Sequence, residues 1–185
     1  MIILLHQLLF QGMFVVKNIA LSRKLGEPIR GSNREANLSI VLFALFIALS
    51  IVFGLLVSAP GSVQLFSEDS TLIITGLLLA ASLLIGGASL WDLGDSWRVG
   101  VIEEQKTALV QSGIYRFTRN PYFVAYLLML GGYTVLLQNW ILLVLLLVGF
   151  GVVHAMILKE ERYLAGVHGD SYLNYRRRVP RYLFL

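Results

Sequence analysis

Residues 121–158 read PYFVAYLLMLGGYTVLLQNWILLVLLLVGFGVVHAMIL, two uncharged apolar runs separated only by Gln138-Asn139. A helix needs roughly 20 mostly apolar residues to cross a hydrocarbon core about 30 Å thick. A two-residue connection leaves no room for anything but a tight antiparallel helical hairpin. The stretch therefore reads as a pair of membrane helices, Pro121 to Leu137 and Trp140 to about Leu158, with Asn120 as N-cap and Pro121 in the first turn. Working outward, three more apolar segments run from about Ile2 to Val16 or Leu21, from about Leu38 to Val57 and from Leu72 to about Leu90. The first contains His6, Gln7 and Gln11 and is the least apolar. It has no basic region ahead of it and no small-x-small site before Lys17, so we read it as a retained helix, not a leader peptide. The expected fold is all-α and integral to the membrane, with five transmembrane helices.

Composition agrees. Of 185 residues 57% are hydrophobic and 14% charged, with a mean hydropathy of +0.74, whereas an average soluble domain is about 45–50% apolar and about 25% charged. The chain has no cysteine, which excludes disulfide scaffolds, thiolate metal sites and cysteine nucleophiles. His6, His154 and His168 are too scattered to suggest a metal site. The net charge of +4 reads as membrane orientation, not as nucleic-acid binding. With five spans, all 15 Lys and Arg residues fall on one side. They occupy the first linker (Lys17 to Arg34), the third connection (Arg98, Lys106, Arg116, Arg119) and the tail (Lys159 to Arg181). The N-terminus is then outside and the C-terminus cytoplasmic.

The chemistry is expected on that charged side, in the segment from Trp91 to Asn120 and in the C-terminal tail. Two arginines and two tyrosines crowd the start of the fourth helix in Tyr115-Arg116-Phe117-Thr118-Arg119-Asn120-Pro121-Tyr122. A helix start offers free N–H groups and partial positive charge, suited to an anionic ligand group. The acidic pair in Lys159-Glu160-Glu161-Arg162 would oppose the macrodipole at a helix C-terminus, so it sits mid-helix or answers a cation. Asp170 or Ser171 can cap a short helix that Pro180 stops, with Tyr172 and Tyr175 on one face. Gly131, Gly132, Gly149 and Gly151 suggest close helix packing. His154, inside a span, is a candidate for a partnered or functional group.

Several of these elements, in order, resemble the signature of the isoprenylcysteine carboxyl methyltransferase family, which is related to the phospholipid methyltransferases. They are Leu93-Gly94-x-x-Trp97, Leu109-Val110-x-Ser112-Gly113-Ile114-Tyr115, Arg119-Asn120-Pro121-Tyr122, Glu160-Glu161, and Gly169-Asp170-x-Tyr172-x-x-Tyr175-x-x-x-Val179-Pro180. The resemblance spans Leu93 to Arg181. It implies a methyltransferase core over residues 91–185, preceded by N-terminal membrane helices over 1–90 that carry no such signature. It further implies S-adenosylmethionine as cofactor, in a cytoplasmic pocket formed by the loop before the fourth helix, the hairpin and the tail. Carried to matching positions, cofactor contacts fall on Thr107, Ala108, Leu109, Val110, Tyr115, Asn120, Pro121, Tyr122, Phe123 and Glu160. Arg119, Asn120 and Glu161 are the candidate catalytic residues. Asn120 stands where the family usually has His, and it can hydrogen-bond but not titrate near neutral pH. Met156 stands where the prenylcysteine enzymes have a substrate-binding Arg. The expected partners are membrane lipids and a lipophilic or small acceptor with a carboxyl, amine or thiol group, and no nucleic acid. A membrane reductase or a non-catalytic membrane protein of the same fold are the competing readings. A transporter is disfavoured by the absence of internal repeats and of polar groups at mid-membrane.

Overall fold

The computed structural model describes residues 1–27, 29–31, 34–99 and 107–183, with the side chains of 34–36 excepted. Lys106 and the Arg34 side chain, both counted in the charge pattern, lie outside that description. Six α-helices are formed: α1 (Ile2–Leu25), α2 (Arg34–Leu55), α3 (Glu68–Leu93), α4 (Pro121–Leu137), α5 (Trp140–His168) and α6 (Asp170–Arg178). A short 3-10 turn, Gly113–Arg116, precedes α4. No strand is present among the described residues. Four helices, α1, α2, α3 and α5, are long and apolar enough to cross a membrane, which makes this a multi-pass membrane protein. The fourth, α4, is also apolar but has 17 residues.

Two helices run further than hydropathy alone indicates. The first continues to Leu25 and is stopped by Gly26 in the left-handed region (φ 66°). The last apolar helix carries the acidic pair mid-helix and ends at His168, which removes the macrodipole objection. Both polar residues that made α1 look weak are turned inward. The two ring nitrogens of His6 lie within hydrogen-bond reach of Tyr133 Oη (2.9 Å), Leu79 O and Ser82 Oγ (both 3.3 Å), and Gln7 Nε2 donates to Tyr133 Oη (3.0 Å). A polar group in hydrocarbon is costly unless partnered, so this network fixes the rotation of α1 against α3 and α4.

The tight hairpin is held by the two residues that make it. Gln138 takes a left-handed conformation (φ 41°) that ends α4, and its side-chain oxygen accepts from Leu65 N (2.6 Å) and Phe66 N (2.8 Å). Asn139 caps α5, accepting from Ile141 N and Leu142 N. Of the glycines noted above, Gly132 does the packing: a Cβ there would press into Leu79 of α3, and α3 and α4 pack along much of their length. Two details differ from expectation, and a third, the environment of His154, takes the partnered form of the two readings offered. Asn120 occupies the N-cap position of α4 but makes no side-chain cap. Gly169, not Asp170 or Ser171, precedes α6. His154 Nδ1 lies 2.9 Å from Tyr182 Oη, which ties the tail back onto α5.

The alternation of helix directions gathers the C-terminal ends of α1, α3 and α5 and the N-terminal ends of α2 and α4 at one end of the bundle. The charged connections and the site lie there.

Candidate active site

The segment before α4 is pinned from three sides. Gly113 has φ 59°, a conformation that a Cβ disfavours, and the Asp92 carboxylate lies where that Cβ would be. Asp92 Oδ2 accepts the Ile114 N–H at 2.7 Å. Tyr115, 7% exposed, has its hydroxyl 3.0 Å from Ser89 Oγ and its carbonyl accepting from Tyr175 Oη at 2.7 Å. Burial pushes the Tyr115 phenol well above its ordinary range, so it is a neutral hydrogen-bonding group at any physiological pH.

The tail straps across the Arg119-Asn120 step. Arg119 N donates to Pro180 O (3.0 Å). Thr118 Oγ1 (2.9 Å) and Asn120 Nδ2 (3.2 Å) both donate to Arg181 O. Asn120 Oδ1 caps none of the first-turn N–H groups of α4, and its Nδ2 is turned to the tail. Beneath the strap lies a three-residue ion cluster. Glu161 Oε1 is 2.9 Å from Arg119 Nη2, and Arg181 grips both Glu161 oxygens in a fork, Nε to Oε1 and Nη2 to Oε2, each at 2.9 Å. The side chains of Arg119 and Glu161 are both 7% exposed. The fork raises the Arg181 pKa above its ordinary value.

Two charged groups beside this cluster stand apart from its ion pairs. Arg119 Nε and Nη1 are buried and have no hydrogen-bond partner among the described residues, an expensive state for a guanidinium. Glu160, unlike Glu161, has no ion pair with an arginine among the described residues. Enclosure by protein, with the Glu161 carboxylate beside it, pushes its carboxyl up to about 7. Both residues border one cavity of about 870 Å³, near the upper end of the range of roughly 300–1,000 Å³ for small-molecule sites.

The structure places every candidate cofactor-binding and catalytic residue on that cavity, Thr107 to Val110, Tyr115, Arg119 to Phe123, Glu160 and Glu161, with Met156 one turn below Glu160, whereas Arg116 and His154 do not line it. Trp97, from the motif after α3, also lines it, and much of the remaining wall comes from helices with no recognisable signature: Gln11, Phe14, Asn18 and Ser22 of α1 and Ser39, Phe43 and Ile47 of α2. Trp97 Nε1 donates to Asn18 Oδ1 (2.7 Å), and its ring sits edge-on to Tyr122 at 4.8 Å between centroids. A signal for these residues existed: positions 11, 14, 18 and 22 share one helical face, as do 39, 43 and 47.

Comparison with known proteins agrees with the geometry. Over 73 residues the chain is 38% identical to the protein-S-isoprenylcysteine O-methyltransferase of Schizosaccharomyces pombe, a match covering 39% of this chain and 31% of that relative. The chain therefore spans about a third of the length of that curated protein. The family model for phospholipid methyltransferases matches residues 70–171, more than half of the chain, from α3 through the 3-10 turn and the hairpin to the start of α6. On that match, the chain is a membrane protein of the phospholipid methyltransferase family.

Proposed function

We propose that the protein is an S-adenosylmethionine-dependent methyltransferase whose core, residues 91–185, acts on a lipophilic or small acceptor at the cytoplasmic boundary of the membrane. The observation that carries this reading is a pair of oppositely charged groups lining one cavity: the Glu160 carboxyl, and Arg119 Nε and Nη1, which are buried with no hydrogen-bond partner among the described residues. They suit a ligand with one ammonium and one carboxylate, and the uncapped start of α4 adds partial positive charge on the carboxylate's side. S-adenosylmethionine carries both groups and, when bound, supplies an activated methyl on a sulfonium.

In this reading Glu160 holds the ammonium, while Arg119 and the first turn of α4 hold the carboxylate. Leu109, Val110 and Tyr115 line the adenine and ribose portion. Glu161 does not contact ligand directly. It fixes the Arg119 guanidinium in place and anchors the tail strap through Arg181. Asn120 and Tyr122 border the space left for the acceptor, whose nucleophile the protein orients and shields from water. Five spans with the N-terminus outside bring this wall to the cytoplasm. The 17 residues of α4 give about 26 Å of helix at roughly 1.5 Å per residue, slightly short of a full crossing. That shortfall is tolerable for a helix enclosed by α3 and α5.

The sign of the pH dependence follows from Glu160. A carboxyl ordinarily near 4.5 but held near 7 in the folded chain ionises first in the unfolded chain. Its burial therefore subtracts from stability as pH rises between those values. A bound ammonium offsets that penalty only when the carboxylate is ionised. Affinity for S-adenosylhomocysteine, measured calorimetrically from pH 5.5 to 8.5, is expected to rise by up to about tenfold per pH unit below 7 and level off above it. In Glu160→Gln the affinity is expected to be weaker and flat with pH. A wild-type profile that is flat, or that falls with rising pH, rejects the role of Glu160.

A further inference from the structure

At the charged end of the bundle Arg119 and Arg181 hold Glu161, and Lys24 holds Asp95. Arg116, Arg176 and Arg177 are exposed and make no ion pair among the described residues. Three hydrogen bonds bring these arginines to one surface. Tyr175 Oη donates to Tyr115 O (2.7 Å), which lays the last turn of α6 beside Arg116. Arg178 Nη2 donates to Gln111 Oε1 (3.2 Å), joining the same two segments a second time. Asp92 Oδ2 accepts the Ile114 N–H (2.7 Å) and so brings the end of α3, with Trp91, against the 3-10 turn. Of the described acids nearby, Asp92 is turned onto Ile114 and Gly113. Asp170 opens α6, about 9 Å of helix away from Arg176 at roughly 1.5 Å per residue.

The same surface exposes two large rings. Trp91 is 85% and Phe117 60% exposed, and the Arg116 guanidinium lies 5.6 Å from the centre of the Phe117 ring. Phe117 stands in the short connection between the 3-10 turn and α4, where the packing of the bundle asks for no aromatic residue. Trp91 lies in the last turn of α3, a helix long enough to cross the membrane. Both rings therefore sit where spans leave the hydrocarbon. Aromatic rings interleaved with guanidinium groups suit the headgroup layer better than bulk water. Arg176 and Arg177 lie beyond the family match, which ends at residue 171.

We propose that Arg116, Arg176 and Arg177, with Trp91 and Phe117, form a docking surface for anionic lipid headgroups in the leaflet at this end of the bundle. The rings settle at the level of the upper acyl chains, and the guanidinium groups take phosphate oxygens of the lipids around them. Because α6 runs directly into the strap that holds Arg119, the same lipids tie the tail to the membrane surface. Neither the surface nor its test depends on the methyltransferase reading.

The chain has three tryptophans, which makes a fluorescence test direct. The full chain is placed in phosphatidylcholine nanodiscs containing a minority of lipid brominated on its acyl chains. That lipid is either phosphatidylglycerol or phosphatidylcholine, at equal mole fraction. The variant W140F reports Trp91. W91F reports Trp140, which begins α5 at the opposite end of the bundle and is 55% exposed. Trp97, 6% exposed, is a buried background common to both. Brominated phosphatidylglycerol is expected to quench Trp91 at least about twofold more than brominated phosphatidylcholine, and the two lipids to quench Trp140 alike. The excess at Trp91 is expected to vanish in W140F/R116Q/R176Q/R177Q, to shrink in W140F at high salt and to persist in W140F/K24A. Equal quenching of Trp91 by the two lipids overturns the proposal. So does an excess that survives the three arginine substitutions, or one equally large at Trp140. The salt series keeps every arginine in place, so an excess undiminished by salt rejects the proposal even where the arginine variant fails to fold.

Discussion

Glu161→Ala is expected to lower stability by about 3–5 kcal/mol, the usual cost of removing one partner from a buried ion pair. The size follows from what is left behind. Arg119, with 7% of its side chain exposed, would lose the one ion-pair partner it has among the described residues, with its Nε and Nη1 already unpaired. Arg181 would lose both arms of its fork. The tail strap would then be held at Arg181 only by the bonds that its carbonyl accepts from Thr118 and Asn120. Thermal unfolding in detergent, with limited proteolysis of the tail, measures both effects: a markedly lower midpoint, and cleavage after Arg181 at protease levels that spare the wild type. Glu161→Gln keeps the volume and one acceptor oxygen and should fall between the two. An unchanged midpoint in Glu161→Ala would mean that the ion cluster does not anchor the strap.

Gly113→Ala is expected to cost about 3 kcal/mol, combining a left-handed conformation forced on a residue with a Cβ, about 1–2 kcal/mol, with loss of the Asp92 to Ile114 hydrogen bond, about 1–1.5 kcal/mol. The added carbon meets the Asp92 carboxylate directly, so either that carboxylate leaves or the 3-10 turn shifts. A shifted turn carries Tyr115 away from Ser89 and Tyr175 and deforms the cavity wall. The diagnostic measurement is the double variant Asp92→Ala/Gly113→Ala. Removing the carboxylate relieves the clash, so the combined loss of stability should be clearly smaller than the sum of the two single losses. Additive losses would show that the two residues act independently and that the contact is unimportant.

The hairpin is legible because its signals are local: two apolar runs, a two-residue break and a proline at the first position of the first helix. The motif-bearing wall of the cavity is legible for a different reason, since its residues fall in short ordered motifs. What sequence did not reveal depends on long-range backbone partners. Asn120 is a good capping residue by type but makes no cap, and its Nδ2 donates instead to the Arg181 carbonyl, 61 positions away, a partner with no residue signature. The N-terminal wall is not legible in the sequence, because His6, Gln7 and Gln11 read as residues that weaken a span. In fact His6 and Gln7 build an internal network, and Gln11 begins the face that continues through Phe14, Asn18 and Ser22 along the cavity. The backbone pairing of Gly31 with Val99 joins two polar connections that local propensity leaves unrelated.

The most direct test of the account is calorimetric binding of S-adenosylmethionine and S-adenosylhomocysteine to detergent-purified protein, beside a reduced nicotinamide dinucleotide. The account predicts one site of micromolar affinity for both sulfur ligands, lost in Glu160→Ala, and no binding of the dinucleotide. Folded protein that binds neither sulfur ligand, or that binds the dinucleotide in their place, would contradict it.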